Sequence, residues 1–346
     1  MGQRQDTLTR GRWRGHTPII ALAVAVLLLA FCALLIGPYP LSLRDSLRLL
    51  ALYLSGQPGD GSPAEIVLFA IRIPRITAAL LVGGALAAAG ACYQSLFRNP
   101  LVSPDILGVS AGAGLGAVLG IFLSLPVAAI QLMGFAGGLA AVALVGVVAT
   151  AVRTGDRTLV LVLAGVVVGA LTGAATSLLK VLADPYDQLP AITFWLLGSL
   201  AGVKTDDILP AAPVVLLGLV PLVLMRWRIN VLSLGDEEAR ALGIEAARLR
   251  LAVILAATLI TASVVAVAGV VGWVGLVIPH IARMITGPGF GRLLPVAVLL
   301  GAGYLLLVDT LARTISNVEV PLGILTAVVG APFFLWLLAK GRRAWT

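Results

Sequence analysis

Charge is what this chain has least of. Of its 346 residues only 12% are Asp, Glu, Lys or Arg, against 60% hydrophobic ones, and no soluble globular domain has that balance. Histidine is nearly missing: His16 lies in a basic leading segment and His280 stands alone after Pro279. There is no His-Glu-x-x-His pair and no ligand set with metal spacing. No Gly-x-x-x-x-Gly-Lys-Ser/Thr occurs, so ATP is not held by a phosphate loop of this chain. No spacing suggests a Ser-His-Asp set, and no enzyme is expected. Cys32 and Cys92 both fall inside apolar runs; with no pairing or ligand spacing they are expected as buried packing residues. Ionisable side chains are almost absent from the middles of the apolar runs, where secondary transporters and proton relays place carboxylates or histidines. Asp309 and Arg313 sit four apart at the end of one run, where they can pair with each other. That scarcity favours energy supplied from outside the membrane over an ion-coupled secondary transporter.

What the chain has in abundance is long apolar sequence. A helical span takes about 20 apolar residues, so this length allows roughly ten or eleven spans with almost no soluble domain left over. The runs are continuous and rich in Gly and Ala, not short alternating segments, which excludes an outer-membrane barrel. Full spans are expected at 19–36, 76–96, 106–123, 127–152, 159–182, 208–225, 251–271, 293–308 and 321–338. A shorter segment, 273–285, contains Pro279 and His280, and 192–200 is too short to cross. The first run follows Arg4, Arg10, Arg12 and Arg14 and leads into Gly37-Pro38-Tyr39-Pro40. Without a small-x-small cleavage site it reads as a retained span, not a signal peptide.

Ten crossings starting inside put both termini in the cytoplasm, with a basic tail at 1–18, a ten-helix transmembrane domain at 19–340 and a second tail at 341–346. Seventeen of the 24 Lys and Arg residues then lie inside and seven outside, as the positive-inside rule requires. The same rule accounts for the net charge of +8 without a nucleic-acid partner. Two glycine rows repeat every four residues: Gly108, Gly112, Gly116 and Gly120 in the third span, and Gly165, Gly169 and Gly173 in the fifth. Small residues let helix backbones approach closely in lipid, either within one subunit or at a subunit seam or pathway wall. Tyr186, Trp195 and Trp273 are aromatic-belt candidates before they are ligand contacts.

The exception to the oily pattern is a polar, helix-prone island at 231–250. It holds four of the sixteen acidic residues, Asp236, Glu237, Glu238 and Glu245, with Arg240, Arg248 and Arg250. A passive channel gives no reason for such an insert, whereas a machine with a soluble partner does.

Seven motifs stand in a telling order. Ile71-Arg72-Ile73-Pro74-Arg75 precedes an Ala/Gly-rich span, and Arg98-Asn99-Pro100-Leu101-Val102-Ser103-Pro104-Asp105-Ile106-Leu107-Gly108 follows it. Then come Phe194-Trp195-Leu196-Leu197-Gly198-Ser199, Leu234-Gly235-Asp236-Glu237, Gly275-Leu276-Val277-Ile278-Pro279-His280, Pro321-Leu322-Gly323-Ile324 and Gly330-Ala331-Pro332-Phe333-Phe334. Over nearly the whole chain this resembles the FecCD-type permeases of ABC importers for iron-siderophores, haem and cobalamin. Val270-Val271-Gly272-Trp273 departs from the Pro-Ile-Gly-Phe of many relatives.

The resemblance implies an all-α polytopic membrane protein with about ten transmembrane helices in the type II ABC importer permease fold. It implies a homodimer in the bacterial inner membrane, two cytoplasmic ATPase subunits that carry ATP and Mg, and a periplasmic or lipid-anchored binding protein. No cofactor is expected on this chain itself. By similarity, the loop at about 227–250 docks the ATPase through Leu234, Gly235, Asp236, Glu237, Arg240 and Gly243. Arg72, Arg75 and Arg313 lie at the outer face, where arginine makes bidentate, always-charged bridges to carboxylates of the binding protein. Spans 5 and 10 wall the pathway, and the inner turn Arg153, Thr154, Gly155, Asp156 and Arg157 lies near the gate. The expected cargo is a metal chelate, an iron-siderophore first; another oxyanion such as molybdate is the alternative within the class.

Overall fold

The computed structural model describes residues 3–57, 59–152 and 157–340, and every regular element among them is helical. In chain order these are α1 (Gln3–Leu35), α2 (Leu43–Leu54), α3 (Pro63–Ile66), α4 (Ile73–Leu96), α5 (Val109–Phe122), α6 (Val127–Ala151), α7 (Arg157–Leu182) and α8 (Gln188–Leu197). They continue as α9 (Thr205–Leu224), α10 (Arg226–Leu232), α11 (Asp236–Ala241), α12 (Ala246–Ala268), α13 (Val274–Thr286), α14 (Phe290–Ala312) and α15 (Leu322–Lys340). Among the described residues seven helices are long and apolar enough to cross a membrane. Val109–Phe122, Gln188–Leu197, Val274–Thr286 and Leu322–Leu337 are shorter apolar helices. The all-α, multi-span architecture is the one expected from the apolar runs.

Two boundaries move from where hydropathy alone puts them. The second span does not start near residue 76: helix runs without a break from Pro63 to Leu96, through a π-helical stretch, Val67–Arg72. Pro74 lacks an N–H and its ring crowds the carbonyl four residues back, so a widened turn just before it keeps the helix continuous. Ser62 starts this segment as an N-cap, accepting from the Glu65 N–H at 3.2 Å. The third span begins at Val109, not 106. A 3-10 turn, Pro104–Leu107, precedes it, and Gly108 turns the chain at φ +77°, a left-handed conformation that suits glycine.

The core is built around α4, which is buried along almost its whole length. Its Ala and Gly residues let its neighbours come within backbone distance. A Cβ on Gly83 would stand 2.2 Å from the Gly301 carbonyl oxygen of α14, and one on Gly90 would stand 1.9 Å from that of Gly275 in α13. α12 completes this core, largely enclosed, with the Tyr93 hydroxyl of α4 and that of Thr258 3.3 Å apart. α7 is the opposite case: Leu163, Val166, Val167 and Leu171 are all exposed.

The two glycine rows therefore differ. In α5, Gly112 and Gly116 press on the α6 backbone, with virtual Cβ atoms 2.5 Å from the Gly137 oxygen and 2.1 Å from that of Met133. This row is a packing seam inside the chain. In α7, Gly165 meets the Ile106 carbonyl at 2.0 Å, but Gly169 and Gly173 face open space. Of the two cysteines, Cys92 is buried as expected, whereas Cys32 lies exposed on α1. An apolar run marks a span but not which side of it meets protein.

Candidate functional sites at the two ends of the bundle

At the end where α4 begins and α14 stops, the structure gathers Arg72, Arg75 and Arg313, drawn from positions up to 241 apart in sequence. All three are buried, at 3%, 7% and 9% exposure, and each has partners inside the chain. Arg75 donates through Nε to both oxygens of Asp309, at 2.8 and 3.1 Å. Its two terminal nitrogens form a fork on Glu319, Nη1 to Oε2 at 2.9 Å and Nη2 to Oε1 at 2.7 Å. Arg72 donates to the Leu34 carbonyl oxygen in the last turn of α1 and to that of Tyr39 just beyond it. Arg313 donates to the Ala33 carbonyl at 2.7 Å and stands 3.8 Å from Asp309.

Arginine suits this site because its planar fork stays charged and satisfies several acceptors at once. Gly37 makes room: a Cβ there would lie 2.9 Å from Nη2 of Arg72 and 3.2 Å from Nη1 of Arg313. The group lines an outward-opening cavity of about 630 Å³ with Tyr39, Ile71 and Asn317.

Sequence spacing pairs Asp309 with Arg313; in space its closer partner is Arg75, on another helix. Glu319 was not among the residues that spacing singles out. The one signal for it is a lone carboxylate between Val318 and Val320, two residues before Pro321. Asp309 is fully buried and Glu319 is 26% exposed by side chain. The site thus has an inner carboxylate shut off from solvent and an outer one at the cavity.

The far end of α4 meets the polar island. Ser233, at the end of α10, donates to the Ser95 carbonyl at 3.5 Å. α11 is pinned to the core by Ala239 and the following Ile244, both buried. Gly235 is extended in a region that favours glycine (φ +148°), and Gly243 ends the element at φ +74°. Asp236 is held by Arg250, whose terminal nitrogens reach its two oxygens at 2.8 and 3.3 Å. Arg240 donates from Nε back to the Asp236 carbonyl at 3.2 Å.

Three acidic residues in the first turn of α11 complement the helix dipole. Leu234 and Leu242 stand exposed beside exposed Glu237 and Arg240. A cleft of about 500 Å³ opens next to them, lined by Trp227, Leu242, Gly243 and Arg248. Asn230 of α10 accepts from the Phe290 N–H at 2.6 Å, which ties this end to the start of α14.

Other residues named from sequence are dispersed. Trp273 packs against α15, where a Cβ on Gly330 would be 2.7 Å from its own Cβ, and Tyr186 is exposed. His280 faces Phe333 edge-on at 6.4 Å between ring centres. Among the described residues no group of His, Cys, Asp and Glu is arranged to hold a metal. Arg153, Thr154, Gly155 and Asp156 lie outside the described residues, as does the side chain of Arg157.

The chain and its fold match known proteins. Residues 24–340 match the FecCD transport family. The Fe(3+)-citrate import system permease of Bacillus subtilis is 40% identical over 95% of this chain and 97% of its own length. The molybdate import system permease of Haemophilus influenzae is 38% identical over 94% and 96%. A solved structure described as an inward-facing metal-chelate type ABC transporter superposes with a TM-score of 0.84 at 38% identity, covering 94% of this chain and 99% of that one.

Proposed function

Because the chain belongs to the FecCD transport family, a family of multi-pass permeases, we propose that it forms the membrane pathway of an ATP-driven importer for a metal chelate, an iron-siderophore first, with haem or cobalamin as further candidates. The observation that carries this reading is the two-ended design: a charged, cavity-lining arginine cluster at one end of α4 and a folded polar docking element at the other. A passive channel needs neither. A chain that harvests an ion gradient needs ionisable groups at mid-depth, and the buried ones here cluster at the arginine end. Molybdate is the second cargo reading, favoured by the Haemophilus relative.

In this reading the arginine end faces the periplasm, α11 and both termini face the cytoplasm, and two copies enclose the pathway. Arg72, Arg75 and Arg313 receive the carboxylates of a substrate-binding protein. Leu234, Gly235, Glu237, Arg240 and Gly243 form the ATPase contact. Asp236 supports that contact from behind, since Arg250 already engages its carboxylate. Exposed apolar residues beside unpaired charges are what a soluble partner buries.

ATP and Mg belong to the partner subunits, and this chain performs no bond chemistry. Its part is to change which end is open when the ATPases change state. α11 is suited to pass on that change, because it packs on α10, which reaches both the end of α4 and the start of α14. The turn Arg153–Arg157 is assigned to the inner gate by family resemblance.

Uptake by proteoliposomes tests the proposal. The chain is reconstituted with its ATPase and binding protein and offered labelled ferric siderophore, haem, cobalamin or molybdate. Accumulation of one of these that requires both ATP and the binding protein is the expected result. Accumulation driven by an ion gradient with no ATPase present overturns it. Reversing Glu237 and Glu238 to lysine is expected to abolish coupling while the permease stays folded; unchanged transport removes α11 from the ATPase contact.

A further inference from the structure

Arg75 is held by two carboxylates of different character. Asp309 reaches Nε from within the bundle and has no exposed surface. Glu319 covers the terminal fork from the loop between α14 and α15, and a quarter of its side chain faces the cavity. A carboxylate arriving from solvent can reach the fork of Arg75 only at the place where Glu319 already stands. The same two-oxygen, two-nitrogen geometry serves either occupant.

Glu319 stands three residues ahead of α15 and also reaches the segment between α8 and α9. Its Oε1 accepts from the Ser199 hydroxyl at 3.3 Å. Three residues on, the Leu322 N–H donates to the Gly198 carbonyl at 2.9 Å, and Gly323 is close enough to Leu197 that a Cβ would sit 2.6 Å from its carbonyl oxygen. The Ser199 N–H in turn donates to the Ala268 carbonyl at the end of α12, at 2.9 Å. The Glu319 side chain therefore joins Arg75 of α4 to the segment between α8 and α9, while the backbone of its loop is held on α14 separately, the Val320 N–H donating to the Ala312 carbonyl at 3.2 Å.

We propose that Glu319 is a place-holder carboxylate on Arg75, that a carboxylate of the docking protein displaces it, and that this exchange frees the α14–α15 loop around Glu319 from α4. The proposal rests on the reading of the arginine cluster as the docking surface. Leaving Arg75 half-paired in a buried site is strongly unfavourable, so the fork does not open by itself. Exchanging one bidentate carboxylate for another avoids that cost, so arrival of the partner and release of the loop from α4 are one event. Glu319 is a positioning residue here: it touches no cargo.

The test uses a spin label at Val318→Cys, an exposed site next to Glu319, in full-length protein with Cys32→Ser and Cys92→Ala, reconstituted in nanodiscs. The label is expected to be slow in the parent and faster in Glu319→Gln with no partner present, with Glu319→Asp in between. Adding the cognate binding protein is expected to speed the label in the parent and to change nothing further in Glu319→Gln. That variant is also expected to bind the protein about tenfold more tightly at low salt, since no internal competitor is displaced.

Equal label mobility in the parent and Glu319→Gln overturns the place-holder, as does weaker binding by Glu319→Gln. Failure of the docking reading shows separately: Arg72→Glu would then leave association unchanged, while the partner-free mobility shift would still report whether Glu319 holds the loop.

Discussion

Replacing Asp309 by Asn tests the arginine cluster most directly, because it changes one charge and almost no volume. Asp309 is fully buried, accepts from Arg75 at 2.8 and 3.1 Å, and lies 3.8 Å from Arg313. Removing it leaves two buried guanidinium groups side by side. Arg75 keeps only Glu319 as a charged partner, and Arg313 keeps the Ala33 carbonyl and a long contact to Thr310 at 3.5 Å. Breaking a buried pair from one side costs about 3–5 kcal/mol. Glu319 still neutralises part of the charge, which places the expected loss near the lower end, about 3 kcal/mol, or more than a hundredfold in the folding equilibrium.

The protein carries its own reporter. Cys92 is fully buried in α4, so in a Cys32→Ser background a thiol-reactive dye labels it only on unfolding. Unfolding by SDS in mixed micelles, followed through that labelling, gives the midpoint for Asp309→Asn against the parent. Asp60→Asn serves as control, because Asp60 faces solvent and meets Arg48 only at 3.8 Å; no measurable shift is expected. A loss below about 1 kcal/mol for Asp309→Asn, the size of an exposed pair, would refute the view that this carboxylate holds the cluster together.

Three further outcomes follow from the packing and the docking surfaces. Gly90→Ala places a Cβ 1.9 Å from a backbone oxygen of α13, and with no side chain able to yield it should cost about 1–3 kcal/mol in the same unfolding assay. A Cβ added at Gly169 or Gly173 meets nothing within 4 Å in the chain; in Gly169→Leu with Gly173→Leu monomer stability should be unchanged, while native mass spectrometry should show loss of the dimer, and an intact dimer would remove this face of α7 from the subunit seam. Arg72→Gln, which leaves no carboxylate unpaired because Arg72 meets only the Leu34 and Tyr39 carbonyls, should weaken binding-protein association in a salt-dependent manner, read by surface plasmon resonance at two ionic strengths; a salt-independent change would point to misfolding instead.

By itself the sequence determined the class of the molecule. Apolar runs of span length leave only one way to satisfy the backbone in lipid, so the helices, their order and the polar island between α9 and α12 were legible from composition and periodicity. The motif order gave the family, and the resemblance to it named Arg72, Arg75 and Arg313 as a set. Tertiary structure decided what hydropathy cannot encode. Pro74 looks like a start signal, yet a π-helical turn carries the helix outward past it. Gly112 and Gly169 sit in identical patterns, but one is pressed on backbone and the other faces open space, because periodicity fixes a face and not what covers it. Asp309 reads as the partner of Arg313 one turn away, whereas a residue on α4 brings a better-aligned donor. Glu319 joins the site only because α14 and α15 close a loop over α4, and such long-range pairing depends on how helices cross, not on spacing along any one of them.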